Sequence, residues 1–487
     1  MQDELQRLQE DNRRLSQENT ALRALVAELL PLKEQVESLS QRLKELENQK
    51  AKDSHNSHLP PSSDRFHRQP KSLRKRSGKK AGGQEGHEGN TLHLSANPDE
   101  VIVHGVQVCQ HCQQDLDTVA AVQIERRQVI DLPPKRVVVI GHQAISKWCP
   151  HCQQMSTAPF PQGLTAPVQY SPAFGAVGVY LVQQQLIPYE RACEVLHDLL
   201  GPSMSVATLH ELVQRCAREL EPVEEQIKES LINSGVLHHD ETGLYVARQR
   251  WWMHSSCTEQ LTHYAVHRKR GKEAMDAIGI LPQFHGVSVH DGWRSYWQYA
   301  CAHALCNVHL LRDLTFVEEV LQQDWAAEMK ALLLEIKAGV QEARQAGLSR
   351  LEQGQRDQWR ARYRRLLQEG VAANSPDPPS SHGKKGRRKQ NAAQNLLDRL
   401  LNDEEAVLAF SENFAVPFDN SQAERDLRMV KVQQKISGCF RSSAGAQAFC
   451  RIRGYLSSLR KQGLHLLTAL EQALAGHPLF LPLSQPE

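Results

Sequence analysis

Two kinds of residue in this chain are spaced as though for chemistry, and they lie far apart along it. Four of its eleven cysteines form two Cys-x-x-Cys pairs, Cys109-Gln-His-Cys112 and Cys149-Pro-His-Cys152. Such a turn aims two thiolates at one point, and two turns complete a tetrahedral Zn–S4 site with no open coordination position. A closed set of that kind is structural, so one structural zinc ion is expected. A redox dithiol needs only one pair, and the odd cysteine count argues against a full disulfide framework. The second kind of residue is the carboxylate. Gly235-Val-Leu-His-His-Asp240 and Gly286-Val-Ser-Val-His-Asp291 are short apolar runs that each end in an aspartate. Two carboxylates in one crevice can bridge a pair of divalent cations, which prefer oxygen ligands, and so act on a phosphodiester.

Those acids need strands to hold them. After the run ending at Asp240 come a predicted strand pair at 250–257 and 260–267, a short helix at 271–278, the run ending at Asp291, and a strand at 302–306. Three strands, a helix and a strand is the order of a ribonuclease-H-like sheet. In that layout the first and fourth strands lie side by side and parallel, and Asp240 and Asp291 share a crevice. His238 and His239 fall on opposite faces of their strand and read as structural. Glu241 adjoins Asp240 but points away from it. No third acid is singled out by spacing, since Asp403, Glu404, Glu405, Glu412, Asp419 and Glu424 are all available.

The rest of the chain reads as further domains, making the fold multidomain α+β. Leu8, Leu15, Leu22, Leu29, Val36 and Leu43 recur every seven residues, so 1–50 predicts a coiled coil. Asn12 and Asn19 in its seam favour a parallel, in-register dimer. Its partner row changes sides near Pro31, where a kink or restart is expected. Residues 51–90 lose all periodicity. Eight Lys and Arg with no acid lie between 65 and 80, among them Lys75 and Arg76, which marks a disordered basic linker able to neutralise phosphates. Residues 91–160 predict a zinc-binding ribbon, with strands at 101–103 and 136–140. Residues 167–234 predict a helical segment, opened by Ser171-Pro172 and broken at Gly201-Pro202-Ser203. The helix capped by Ser205 is the later member of a helix-turn-helix arrangement, with Arg215 on its outer face. Residues 235–475 form the catalytic domain, with a helical insertion at about 315–415.

The net charge is only +2, so any nucleic-acid argument rests on distribution rather than total. No apolar run approaches the roughly 20 residues a membrane helix needs, and no signal peptide follows Met1. A reducing cytosol is expected.

In combination these blocks resemble the IS66 family of bacterial insertion-sequence transposases. Gly82-Gly-Gln-Glu-Gly-His87-Glu-Gly89 resembles the family's lead-in to its zinc-binding domain, and both cysteine pairs follow in order. Leu186-Ile-Pro-Tyr-Glu-Arg-Ala resembles the opening of its helical DNA-binding segment. Asp240-Glu-Thr and Asp291-Gly-Trp resemble the blocks carrying its first two catalytic aspartates, and Cys306-Asn-Val-His309 the CxxH that comes next. Asn420-Ser-Gln-Ala-Glu424-Arg-Asp-Leu-Arg428 resembles the block that supplies its third acid.

The resemblance therefore implies Glu424 as the third acid. It also implies a DDE-type transposase with two Mg²⁺ (or Mn²⁺) ions per active site held by Asp240, Asp291 and Glu424. Arg428, one helical turn beyond Glu424, and Lys435 are candidates to grip DNA phosphate. The implied partners are the element's terminal repeats, target DNA, a second copy through the coiled coil, and accessory proteins of the same element. No membrane is involved, and the implied location is the bacterial cytoplasm, at the nucleoid. Rival readings are an inactive DNA-binding regulator of the same fold and a nuclease or resolvase that cuts without joining.

Overall fold

The computed structural model describes residues 2–53, 55–57, 94–130, 137–374 and 390–482. The basic run with Lys75 and Arg76, the 82–89 lead-in, Arg136 and residues 375–389 lie outside the described residues. Helix α1 (Gln2–Lys50) is continuous. The expected kink or restart at Pro31 does not divide it. A proline removes one hydrogen bond, here the one to the Ala27 carbonyl, and a helix of this length remains helical on both sides of that loss. Its heptad row is bare, with Leu15, Leu22, Leu29, Val36 and Leu43 each 52–65% exposed.

The described residues form two compact units, one taking in α1, 170–193 and 204 onward, the other 94–169 and 194–203. In the smaller unit the regular structure between 94 and 169 is a single hairpin. Strand β1 (Ser146–Trp148) pairs antiparallel with β2 (Met155–Thr157), Lys147 opposite Ser156. The strands expected at 101–103 and 136–140 do not form over their described residues. Val101, Ile102, Val103, Val138, Val139 and Ile140 are 70–84% exposed. β-branched side chains make a strand only where there is a face to bury, and here there is none.

From residue 170 the first helix is α2 (Pro172–Val179), capped by Ser171 Oγ, which accepts the Phe174 amide at 3.2 Å. A π-helical turn (Tyr180–Gln184) follows it. Next come α3 (Tyr189–Leu200), α4 (Val206–Glu219) and α5 (Glu221–Ile232). Ser205 caps α4 through the Thr208 amide at 3.0 Å.

A five-stranded sheet forms the centre. Its strands are β3 (Val236–Val246), β4 (Gln249–Cys257), β5 (Thr262–His267), β6 (Val287–His290) and β7 (Ala302–Leu305), with α6 (Lys272–Ile278) before β6. The order across it is β5-β4-β3-β6-β7. β3, β4 and β5 are antiparallel, whereas β6 and β7 run parallel to β3. β3 does not stop at Asp240, as the apolar run suggested. It continues to Val246 and returns through Ala247-Arg248, both at left-handed φ (47° and 65°), into β4. Those two residues carry none of the usual Asn-Gly signature of a tight hairpin, which hid the turn. β6 sits close against the start of β3. A Cβ on Gly286 would lie 2.4 Å from the Gly235 carbonyl oxygen, so only glycine fits there. The next amide, Val287, donates to that same oxygen at 2.9 Å.

Five helices follow β7, namely α7 (Asn307–Glu319), α8 (Asp324–Gln345), α9 (Gln353–Ala373), α10 (Ala392–Asn402) and α11 (Glu404–Glu412). They share one core with the β6–β7 side of the sheet, through Val289, Leu310, Trp325, Leu332, Tyr363 and Leu400. The chain closes with α12 (Ser421–Ser437), α13 (Ser443–Lys461) and α14 (Leu466–Leu474). α12 lays Leu427 and Val430 on Leu244, Val246 and Met253 of the β3–β4 hairpin. Each such side chain contributes about 1.5–3 kcal/mol by burial, which fixes the helix to that face. No helix among the described residues is long and apolar enough to cross a membrane.

Candidate active centre and metal knuckles

Strand register decides where the two aspartates lie. Val236 pairs with Val287, Leu237 with Ser288 and His238 with Val289 on parallel neighbours. Two residues further along both chains, Asp240 comes level with Asp291. Both residues are partly buried. Asp240 Oδ1 accepts the Glu241 amide at 2.8 Å, and Asp291 Oδ1 accepts the Trp293 amide at 2.9 Å. Gly292 between them turns the chain at φ 88°, a conformation that glycine adopts without cost. The Asp240 carboxyl is pushed well above the ordinary range. Burial is the largest cause, and the negative charges of Glu241, Asp291 and Glu424 add to it. Asp240 on β3 therefore lies within electrostatic reach of Asp291, just beyond β6, and of Glu424 on α12.

Glu424 is held near the strands by its neighbours. Asn420, 2% exposed, stands at the start of α12 but does not cap it. Its Nδ2 donates to the His239 carbonyl at 2.7 Å, and its Oδ1 pairs with His238 Nδ1 at 2.8 Å. Its amide donates to Cys306 Sγ at 3.2 Å. One side chain therefore ties the helix bearing Glu424 to the strand bearing Asp240, one residue before that acid. Four residues on, Glu424 Oε1 lies 3.5 Å from His309 Nε2.

Glu241 points to the opposite side, as its place in the strand requires. Arg270 Nε donates to its Oε1 at 2.7 Å and the Tyr296 hydroxyl to its Oε2 at 2.5 Å. The Arg270 guanidinium is stacked between the Trp252 and Trp293 rings. Of the two histidines, His238 is spent on Asn420 and His239 on Ser256 Oγ at 3.0 Å.

The two cysteine turns are built alike. The Cys109 and Cys149 amides donate to the carbonyls of Gln114 and Gln154, both at 2.9 Å, and Gln113 and Gln153 sit at left-handed φ of 61° and 51°. In each turn the thiol of the first cysteine is held below its ordinary value by amides directed at its sulfur. For Cys109 these are the amides of Cys112 and His111, and for Cys149 those of Cys152 and His151. That is the environment of a metal thiolate. The two turns are not drawn into one cluster, however. Among the described residues the only metal-capable group of three within 4.8 Å is Cys306, His309 and Glu424.

A family model described as "Transposase IS66 family" matches residues 167–448, more than half of the chain. The chain belongs to the IS66 transposase family. A second model, "zinc-finger binding domain of transposase IS66", matches residues 107–153 and encloses all four knuckle cysteines. A third, a family of unknown function, matches residues 2–93. A search of curated proteins returns no match.

The match over 167–448 contains every acid just described. Of the basic residues expected to meet DNA, Arg428 and Lys435 are exposed on α12 of this IS66 transposase. Arg215, expected on the outer face of α4, is exposed there, and its Nη2 donates to the Leu474 carbonyl at 2.8 Å. Sequence reasoning gave no role to Asn420, Cys306 or His309. Their only signal lay in the Asn-x-x-Ala-Glu and Cys-x-x-His blocks, whose spacing does not reveal that the two meet in space.

Proposed function

We propose that the chain is a DDE transposase that cuts DNA at the ends of an insertion sequence and joins the freed ends to new DNA. The observation that supports this reading is the β3–β6 register, which brings Asp240 level with Asp291, together with the upward push on the Asp240 carboxyl, to which the charges of Asp291 and Glu424 contribute. The order β5-β4-β3-β6-β7, with β3 and β6 parallel, supports a ribonuclease-H-like catalytic domain into which α8–α11 are inserted. The donor set fits Mg²⁺ or Mn²⁺, two per site, because it offers carboxylate oxygens whose crowding leaves negative charge unbalanced. Held by Asp240, Asp291 and Glu424, such cations would supply activation of the attacking oxygen and stabilisation of the leaving one.

The residues of the chain then have separable tasks. Asp240 and Asp291 present oxygens from adjacent strands, and Glu424 adds a third from α12. Arg428 and Lys435 grip phosphate. In the first step water adds to a phosphorus at the element end and the bond to the 3′ oxygen breaks. In the second that 3′-hydroxyl attacks a target phosphodiester and displaces the target's own 3′ oxygen. Neither step requires a protein–DNA bond.

One structural zinc on Cys109, Cys112, Cys149 and Cys152 would draw the two knuckles together. With that unit, α2–α5 and Arg215 read the terminal repeats, and Lys75 and Arg76 add phosphate contacts. The bare heptad row of α1 supports pairing with a second copy, which brings two element ends to one complex and raises their effective concentration. Such a protein works at the bacterial nucleoid, with accessory proteins of its element.

The test uses purified full-length protein, Mg²⁺ and a duplex carrying the terminal repeats. The wild type should give cleaved and joined products. Asp291→Ala should lose both by about 10³-fold or more while melting normally. Unchanged activity in that variant would overturn the metal assignment. Cleavage without joining would point to a nuclease, and binding without cleavage to a regulator.

A further inference from the structure

We infer that Cys306, His309 and Glu424 form a second metal site, selective for a zinc-class cation and separate from the cysteine knuckles. Sγ of Cys306, a ring nitrogen of His309 and a carboxylate oxygen of Glu424 lie within 4.8 Å of one another. The nitrogen and oxygen are already 3.5 Å apart. A tetrahedral ion with bonds of about 2.0–2.3 Å holds its ligand atoms within about 3.8 Å, so closure needs shifts of roughly an ångström.

The Cys306 sulfur already accepts one backbone amide, that of Asn420 at 3.2 Å, while the His309 amide donates to the Cys306 carbonyl at 3.1 Å and so fixes the turn that carries both side chains. Without a cation, burial pushes this thiol up to about 12, so coordination sends its proton to solvent. One sulfur, one nitrogen and one oxygen make a borderline-soft set that favours Zn²⁺, Co²⁺ or Cd²⁺ over Mg²⁺. Three protein ligands leave the fourth position to water.

The site shares Glu424 with the proposed Mg²⁺ centre. A zinc-class ion on Cys306 and His309 would draw that carboxylate away from Asp240 and Asp291, and would act as an inhibitor competing with Mg²⁺. This consequence rests on the transposase reading, whereas the binding site does not.

Co²⁺ titration of zinc-replete full-length protein tests the site directly. The wild type should take up one further equivalent with a thiolate-to-cobalt absorption band. Cys306→Ser should lose that band, and His309→Ala should bind at least tenfold more weakly. Identical stoichiometry and spectra in the wild type and Cys306→Ser would overturn the proposal. Should Cys306→Ser fail to fold by circular dichroism, an unchanged titration in His309→Ala would overturn it equally. In the cleavage assay, Zn²⁺ should inhibit the wild type at tenfold or lower concentrations than His309→Ala. Absence of any Mg²⁺-dependent cleavage would count against the transposase reading alone, leaving the cobalt result to decide the site.

Discussion

The knuckle unit and the five-stranded sheet obtain their order from opposite sources. Around the knuckles, six valine and isoleucine side chains at 101–103 and 138–140 are 70–84% exposed, and the strands among the described residues are three residues long. In the sheet, Leu237, Leu244, Met253 and Val289 are fully buried. Each knuckle takes its shape from a few local hydrogen bonds and a left-handed glutamine, without a core. The sheet takes its shape from burial, and its acids are placed by register. A region of the first kind would depend on a bound ion for its order, whereas one of the second kind would not.

Metal removal should split the two most sharply. A structural zinc contributes on the order of 10–16 kcal/mol to a small domain, so chelation should open residues 94–169 to proteolysis while the sheet's unfolding transition stays put. A single cooperative loss of both would break the contrast.

Acid should single out the buried region instead. Burial and neighbouring imidazoles hold His239 down to about 3, and burial foremost holds His254 to about 4, against an ordinary 6.5. Both stay neutral when folded and take up protons on unfolding. Their contribution is therefore full above about pH 6.5 and falls as pH drops toward 4. At pH 5 each should cost about 2 kcal/mol in urea melts, and His254→Gln should show a shallower pH slope than the wild type.

A smaller effect separates positioning from folding within the sheet. Asn420→Ala removes the tie between α12 and β3. Cleavage kcat should fall about 10–100-fold and the Mg²⁺ requirement should rise, with DNA affinity unchanged. A drop in affinity alone would mean that Asn420 serves binding rather than placement of Glu424.

The smallest change concerns the hairpin. Ala247→Asn with Arg248→Gly should stabilise the protein by about 1 kcal/mol in chemical denaturation, because both positions are left-handed. Loss of stability would indicate that the Arg248 side chain has a partner in solution.

Much of this was readable from residues alone, and the exceptions have physical causes. Apolar runs ending at Asp240 and Asp291 disclosed the neighbouring parallel strands, because a strand buried on both faces needs few polar residues. The continuation of β3 to Val246 was hidden by a hairpin turn lacking glycine and asparagine. Strands expected at 101–103 and 136–140 do not form over their described residues, because β-propensity without a partner surface has no structural consequence. The third acid was beyond spacing rules, since many carboxylates follow Asp291 and only tertiary packing distinguishes them. It took the resemblance of the Asn420–Arg428 block to single out Glu424. Asn420 carried no role in the sequence, and its hydrogen bonds to His238 and His239 are made across 182 and 181 residues, which no local spacing discloses.

The helices inserted between β7 and α12 have a consequence for biosynthesis. Glu424 lies 133 residues after Asp291 (424 − 291), so a ribosome adding about 5–20 residues per second needs roughly 7–27 s to reach it. Throughout that interval the nascent chain carries two of the three proposed acids and no α12. On the proposed function, a nascent chain that has not yet reached α12 would lack the third acid, and the capacity to break DNA would arrive only with that helix.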